Sequence, residues 1–211
     1  MLKFGFELEF FIVDTLTGQP TLVPPDLPKD ECGWLVEVRS EPHEHPLKAI
    51  HLLHAETQLV VERAERRGFQ LKRQPRMEIP RALKVDAARQ NGKGLLRFRN
   101  LYGHKTHRNS PKEATASLHV SITNAQRYSY RDKDNRELSF TYPGFIDHAH
   151  LITTCDREFT KEIKESKRNP GFYEIKHDGR IEYRSLPNDV DLEKVARVLT
   201  QLVESGFLKQ Q

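Results

Sequence analysis

Apolar and polar residues alternate along four segments of the chain, as they do in β-strands that bury one face. These segments are residues 4–13, 34–40, 116–123 and 180–185. Shorter runs that favour strands lie at residues 69–72, 137–142 and 172–176. The Asp178-Gly179 pair is typical of a hairpin turn, so the segments that flank it are predicted to pair with each other.

Three segments carry apolar residues at the spacing of amphipathic helices, namely residues 46–67, 145–167 and 191–205. Asp191 is expected to cap the last helix, and Gly206 is expected to end it. Residues 75–113 show neither pattern and are interpreted as an irregular basic loop or lid. Hairpins flanked by helices, without βαβ alternation, predict an α+β fold with a largely antiparallel sheet. The length of 211 residues favours a single domain over residues 1–211.

The four alternating strands follow the same design, with one apolar face and one face that carries ionisable groups. In the first strand the apolar face holds Phe4, Phe6, Leu8 and Phe10, and the other face holds Gly5, Glu7 and Glu9. The polar faces of the other three strands hold Glu37 and Arg39; Ser117, His119 and Ser121; and Glu182 and Arg184. If the four strands share one sheet, one face of that sheet packs on helices and the other is a basin of carboxylates and arginines.

The distribution of charge is more informative than the net charge of +4. Residues 84–112 contain eight basic residues and one acidic residue, a net charge of +7, so the rest of the chain is mildly acidic. Such a stretch favours an anionic partner, either a nucleic acid, a nucleotide phosphate or an acidic substrate.

Composition excludes some classes of protein. Hydrophobic residues make up 36% of the chain, and no apolar run approaches the ~20 residues that a bilayer span requires. Glu7 and Glu9 interrupt the first apolar run, so no signal peptide is predicted. Cys32 and Cys155 form neither a disulfide framework nor a CxxC pair. We therefore expect a cytoplasmic protein with no membrane partner.

Four converging glutamates would repel one another unless a cation lay between them. Mg²⁺ prefers oxygen ligands and often combines carboxylates with substrate phosphates, which arginine also binds through its forked donors. The pattern therefore indicates an ATP site with Mg²⁺. The alternative is that the glutamates form only the solvated face of an antiparallel sheet.

Four motifs resemble the glutamate–cysteine ligase-like carboxylate–amine ligases, which are relatives of glutamine synthetase. Residues 5–10 (GFELEF) are similar to the opening Gly-x-Glu-x-Glu-Phe strand of that family, and residues 34–39 (WLVEVR) to its second acidic strand. Residues 117–121 (SLHVS) resemble its histidine strand, and residues 180–187 (RIEYRSLP) its closing Glu-x-Arg strand. The motifs occur in the family's order, and the small size of the chain is similar to that of the compact amidoligase branches.

The resemblance implies a curved, glutamine synthetase-like antiparallel sheet with helices on one face and the active site on the other. It implies an ATP-dependent enzyme that joins a small-molecule or peptide carboxylate to an amine through an acyl phosphate, using two or three Mg²⁺ ions, which Mn²⁺ can replace. The implied metal ligands are Glu7, Glu9, Glu37, His119 and Glu182. The implied catalytic residues are Glu7 and Arg184, and the implied ATP-binding residues are Arg39 and Arg184. If the basic segment is a lid over the phosphates, Lys93 and Arg97 within it are also expected to bind ATP.

Two other functions remain open at this stage. The basic segment 84–112 could belong to a non-catalytic module that binds nucleic acid or protein, although the chain contains no zinc-finger, RNP-type or helix-turn-helix pattern. The chain could also have a ligase-like fold that has lost catalysis. Mg²⁺-dependent ATP binding would distinguish a ligase from the non-catalytic binding module. Turnover would distinguish a ligase from a ligase-like fold that has lost catalysis. The sequence does not identify the acid, the amine or the oligomeric state.

Overall fold

A computed structural model of the protein describes residues 2–30, 32–90, 113–144 and 146–206, and these ranges contain nine strands and five helices. The strands are β1 (Leu2–Asp14), β2 (Leu35–Arg39), β3 (Phe69–Lys72), β4 (Arg76–Glu78), β5 (Glu113–Thr115), β6 (Ser117–Arg131), β7 (Glu137–Pro143), β8 (Tyr173–Ile175) and β9 (Ile181–Pro187). The helices are α1 (Pro46–Glu65), α2 (Arg81–Gln90), α3 (His148–Glu158), α4 (Thr160–Glu165) and α5 (Leu192–Glu204).

Seven of the strands form one antiparallel sheet. Its main path runs in the order β2-β1-β6-β9-β8, while β3 also pairs with β1 and β7 with β6. Strands β4 and β5 form a separate two-stranded sheet. The predicted α+β class with a mostly antiparallel sheet is confirmed, and the four strands that carry the acidic motifs are neighbours.

The main core lies on the face of the sheet that bears the aromatic side chains of β1. Phe4, Phe6 and Leu8 are almost fully buried there, against Ile50 and Leu53 of α1 and the apolar stripe of α5. Burial of each such side chain contributes about 1.5–3 kcal/mol. As predicted, α5 begins at an Asp191 cap, whose carboxylate accepts hydrogen bonds from the first turn of the helix. This packing fixes the strand face and so directs the glutamates of β1 to the opposite side.

Two predicted boundaries were wrong. The single helix predicted over 145–167 is a pair, α3 and α4, separated at Phe159, whose ring is buried in the main core. The strand predicted over 116–123 extends to Arg131, because β6 continues beyond its pairing with β1 and β9 and there pairs with β7.

The irregular basic loop predicted over 75–113 was also wrong in part. Residues 76–78 form β4, residues 81–90 form α2, and Glu113 opens β5; residues 91–112 lie outside the described residues. Leu83 of α2 packs against a second apolar cluster on the acidic face of the sheet, formed by Phe11, Leu35, Ile79 and Ala116. One helix therefore lies on the face where none was expected.

None of the helices in the described ranges combines the length and apolar character that crossing a bilayer would require.

Candidate metal centre

The register of three strands brings the first four predicted ligands side by side. On β1, Glu7 lies opposite Arg39 of β2 on one side and His119 of β6 on the other. Two residues further along, Glu9 lies opposite Glu37. Since alternate residues of a strand share a face, all of these side chains point away from the aromatic core.

Strand β9 adds Glu182, which is opposite Ser121 of β6. The pairing of β6 with β9 shifts between Leu118 and Val120, next to His119. A bulge of this kind changes the direction of nearby side chains and is common beside functional sites. The five predicted ligands are all at most 8% exposed: Glu7, Glu9, Glu37, His119 and Glu182.

The imidazole of His119 lies at the centre of the acidic residues. Its Nδ1 atom is 3.4 Å from an oxygen of Glu7 and 3.5 Å from an oxygen of Glu182. Its Nε2 atom is 3.6 Å from Glu9. One ring therefore contacts carboxylates from two different strands, and we call His119 with the four glutamates the acidic cluster.

Ser117 fixes the orientation of this ring. Its hydroxyl donates to Glu9 Oε2 at 2.6 Å, and its backbone N–H donates to the same oxygen at 2.7 Å. Because the hydroxyl proton is used by Glu9, His119 Nε2 is the donor in its 2.9 Å contact with Ser117 Oγ. Nδ1 is then the ring atom directed at Glu7 and Glu182, and hydrogen bonds of this kind orient histidine ligands in metal sites.

Within the described ranges, three cations contact the acidic cluster. Arg39 Nε donates to Glu37 at 2.7 Å and lies 3.4 Å from Glu7, with its side chain largely exposed. At the other side, Arg184 pairs with Glu182 at 2.7 Å and Lys176 pairs with Glu182 at 3.0 Å, and both side chains are nearly buried. The cluster is thus neutralised in part by the protein itself.

Sequence reasoning missed two members of this network, Glu174 and Lys176. Glu174 accepts from Lys176 at 2.8 Å and from Arg184 at 2.9 Å. The signal was present in the hairpin: counting back from the Asp178-Gly179 turn places Glu174 directly opposite Glu182. A polar residue opposite a site residue on a neighbouring strand is part of the same surface.

The surroundings shift the pKa values of two glutamates in opposite directions. Burial opposes ionisation of Glu7, but the hydrogen bond and charge of His119, with help from Arg39 and Lys176, prevail and lower its pKa to about 2. Burial and the charges of Glu7 and Asp30 raise the pKa of Glu37 to about 7, despite Arg39. Crowded carboxylates of unequal pKa are common at functional sites.

An apolar cluster closes one end of the acidic face. Phe11 lies two residues after Glu9 on the same face of β1. Opposite it on β2, Leu35 shares a face with Glu37. Both are buried beneath Ile79 and Ala116, with Leu83 of α2 packed alongside. This apolar wall keeps water from one side of the carboxylates and so strengthens their interaction with a cation.

The donor set fits a divalent cation. Glu7, His119 and Glu182 each offer a ligand atom within 4.8 Å of the others, and so do Glu9, Glu37 and His119. Hard ions such as Mg²⁺ and Mn²⁺ take carboxylate oxygens, and the imidazole extends the range to softer ions such as Zn²⁺. The residues present could therefore hold one ion at the first group, with Glu9 and Glu37 beside it for a second.

The structure brings together every predicted site residue that it describes. The five predicted metal ligands converge, and Arg39 and Arg184 contact them. Lys93 and Arg97, predicted to bind ATP, lie outside the described residues. The roles of all these side chains stay predictions.

Comparisons of the chain with protein-family models, curated proteins and solved structures find no match. The resemblance to the carboxylate–amine ligases therefore depends on the four motifs and on their arrangement.

Proposed function

We propose that the protein is an ATP- and Mg²⁺-dependent ligase that joins a carboxylate to an amine. The observation that carries the proposal is the convergence of four strands on one buried acidic cluster, with His119 at its centre and arginines at its edge. Carboxylates buried together are costly unless a cation compensates them. A divalent ion would reduce that cost and would also bind the phosphates of ATP.

The chemistry needs a site of this kind. A carboxylate does not react with an amine until one of its oxygens becomes a leaving group. Transfer of the γ-phosphoryl group of ATP to the carboxylate gives an acyl phosphate and ADP. The amine nitrogen then attacks the carbonyl carbon, the bond from that carbon to the phosphate oxygen breaks, and phosphate leaves as the amine loses a proton.

Different residues of the acidic face would have different roles in this reaction. Glu7, Glu182 and Nδ1 of His119 would hold the ion that neutralises the transferring phosphoryl group. Arg184 and Arg39, on opposite sides of the cluster, would bind phosphate oxygens. The apolar wall at Phe11 would limit hydrolysis of the acyl phosphate by water.

The first experiment measures ATP binding by calorimetry with Mg²⁺ and with EDTA. We expect binding only with Mg²⁺. Glu7→Gln should weaken it by at least the roughly 10–100-fold that loss of a group supporting a metal ligand costs. Glu62→Gln is the matched control, because Glu62 is an exposed helix residue paired only with Arg66 among the contacts described. ATP binding that is equally strong in Mg²⁺ and in EDTA, and that Glu7→Gln leaves unchanged, would contradict the proposal.

The second experiment measures turnover without knowledge of the natural amine. Hydroxylamine attacks acyl phosphates, so a panel of carboxylic acids with ATP, Mg²⁺ and hydroxylamine should give a hydroxamate with ADP and phosphate for the correct acid. Mg²⁺-dependent ATP binding without hydroxamate from any acid would favour the fold that has lost catalysis. Binding to duplex DNA that falls steeply with salt and ignores Glu7→Gln would favour the nucleic-acid-binding alternative.

A further inference from the structure

Glu182 belongs to two groups of side chains at once. Toward β1 it is one of the three residues grouped around Nδ1 of His119. Toward β8 it faces two cations, with Lys176 Nζ 3.0 Å from Oε2 and an Arg184 nitrogen 2.7 Å from Oε1. Its neighbour Glu174 contacts both cations as well, at 2.8 and 2.9 Å. In the metal-free protein the two cations are therefore engaged by carboxylates.

Among the described residues, a buried hydroxyl on the same face as Glu182 has no hydrogen-bond partner. Ser121 is 5% exposed, and its Oγ atom makes no hydrogen bond within the part of the chain that the structure describes. The residue lies opposite Glu182 in one pairing and opposite Gly5 in the other, on the face of His119. Buried hydroxyls are nearly always hydrogen-bonded, so this one is suited to a ligand or an ordered water.

Gly5 leaves room beside that hydroxyl. A Cβ atom built on Gly5 would meet Pro42 Cγ and Ser121 Cβ, both at an ordinary contact distance of 3.8 Å. The backbone of Gly5 is not in the left-handed region, so the fold does not require glycine there. The absent side chain instead leaves the space of a methyl group on the acidic face, next to Ser121 and Pro42.

A metal ion changes what Glu182 can offer its cations. A carboxylate that donates to a divalent ion has less negative charge to share with Lys176 and Arg184, so those ion pairs weaken. We propose that Lys176, Arg184 and Ser121 then form an oxyanion-binding subsite beside Gly5, which divalent metal on Glu182 opens to a phosphate or carboxylate group. The inference rests on the proposed function, and it adds Lys176, Ser121 and Gly5 to that site.

The consequence is positive coupling between metal and anion. The metal weakens the hold of Glu182 on Lys176 and Arg184, which keep Glu174 as their other carboxylate partner, and the anion in turn draws both cations away from Glu182. Couplings between bound ligands are typically 5–150-fold, and we expect Mn²⁺ to raise anion affinity by about 10-fold or more. By the same linkage the anion raises Mn²⁺ affinity by an equal factor.

The test measures the binding of radiolabelled inorganic phosphate and, separately, of radiolabelled glutarate by equilibrium dialysis, with and without Mn²⁺. Both probes bind free Mn²⁺ weakly, and the probe that responds identifies whether the subsite takes phosphate or carboxylate. Mn²⁺ binding alone is followed by electron paramagnetic resonance. The variants are Lys176→Met, Gly5→Ala and the control Lys161→Met, which removes an exposed helix lysine.

We expect Mn²⁺ to raise the affinity of wild type and Lys161→Met for one of the probes, and to have no such effect on Lys176→Met. Gly5→Ala should fold, as judged by circular dichroism, bind Mn²⁺ like wild type and lose most of the anion binding, because its methyl group fills the space. If Lys176→Met does not fold, the anion binding of Gly5→Ala still tests the proposal.

Three results would overturn the inference. Coupling that persists in a folded Lys176→Met protein, or wild-type anion binding by Gly5→Ala, would refute it while leaving the proposed function intact. Failure of the wild-type protein to bind Mn²⁺ would overturn the inference and the proposed function together.

Discussion

Replacing Glu37 by glutamine should remove a pH dependence from the stability of the metal-free protein. Glu37 is buried beside Glu7 and Asp30, and burial with these charges raises its pKa from 4.5 to about 7. Between those two pH values the folded protein retains a proton on Glu37 that the unfolded chain has released. The free energy of unfolding must therefore fall as pH rises through this window.

The size of the effect follows from the pKa shift. One pKa unit corresponds to about 1.4 kcal/mol, so the shift of Glu37 makes the metal-free protein about 3 kcal/mol less stable above pH 7 than near pH 4.5. Glu7 acts in the opposite direction, because its folded pKa of about 2 lies below 4.5, and its contribution is lost as pH falls through that lower window. Together, the shifts of these two glutamates favour the folded state of the metal-free protein most near pH 4.5–5.

The assay is urea unfolding in EDTA at pH 5 and at pH 8 for wild type, Glu37→Gln and the exposed control Glu62→Gln. Glutamine has no proton to lose, so Glu37→Gln should lose little stability between the two pH values and should exceed wild type at pH 8. A Glu37→Gln protein that loses as much stability as wild type between pH 5 and pH 8 would refute the reasoning.

Three further predictions concern the support of the site and the core. Ser117→Ala removes the hydroxyl that holds Glu9 and His119, so Mn²⁺ affinity measured by paramagnetic resonance should fall about 10–100-fold, and an unchanged affinity would contradict this role. Asp191→Ala removes the cap of α5 and should cost about 1 kcal/mol in chemical unfolding, whereas Asp191→Asn should restore most of it. Leu53→Ala opens a cavity in the main core and should cost about 2–5 kcal/mol by the same assay; a change below 1 kcal/mol would contradict its burial.

The alternation of residues was sufficient to predict the acidic face. Because a strand repeats every two residues, Glu7 and Glu9 had to share a face opposite the phenylalanines, and the same rule oriented Glu37 and Glu182. The convergence needed one further fact, namely that the four strands are neighbours. The shared design of the four strands suggested that they are neighbours. The structure shows it, because β1 pairs with β2 and β6, and β6 pairs with β9.

The features that sequence reasoning missed depend on packing between distant segments. Helix α2 is short and basic, and Leu83 is partly buried because Phe11 and Leu35 lie beneath it on the sheet. Lys176 in isolation has the pattern of a solvated turn residue. Its burial follows from its contacts with Glu174 and Glu182, which depend on the hairpin register.

The central claim is that the acidic cluster binds a divalent cation, and anomalous diffraction from crystals soaked in Mn²⁺ tests it most directly. We predict an anomalous peak within about 2.5 Å of His119 Nδ1 and of carboxylate oxygens of Glu7 and Glu182. A second, weaker peak between Glu9 and Glu37 would indicate a second ion. Peaks found only at exposed carboxylates such as Glu62, with the acidic cluster still held by its own ion pairs, would contradict the account.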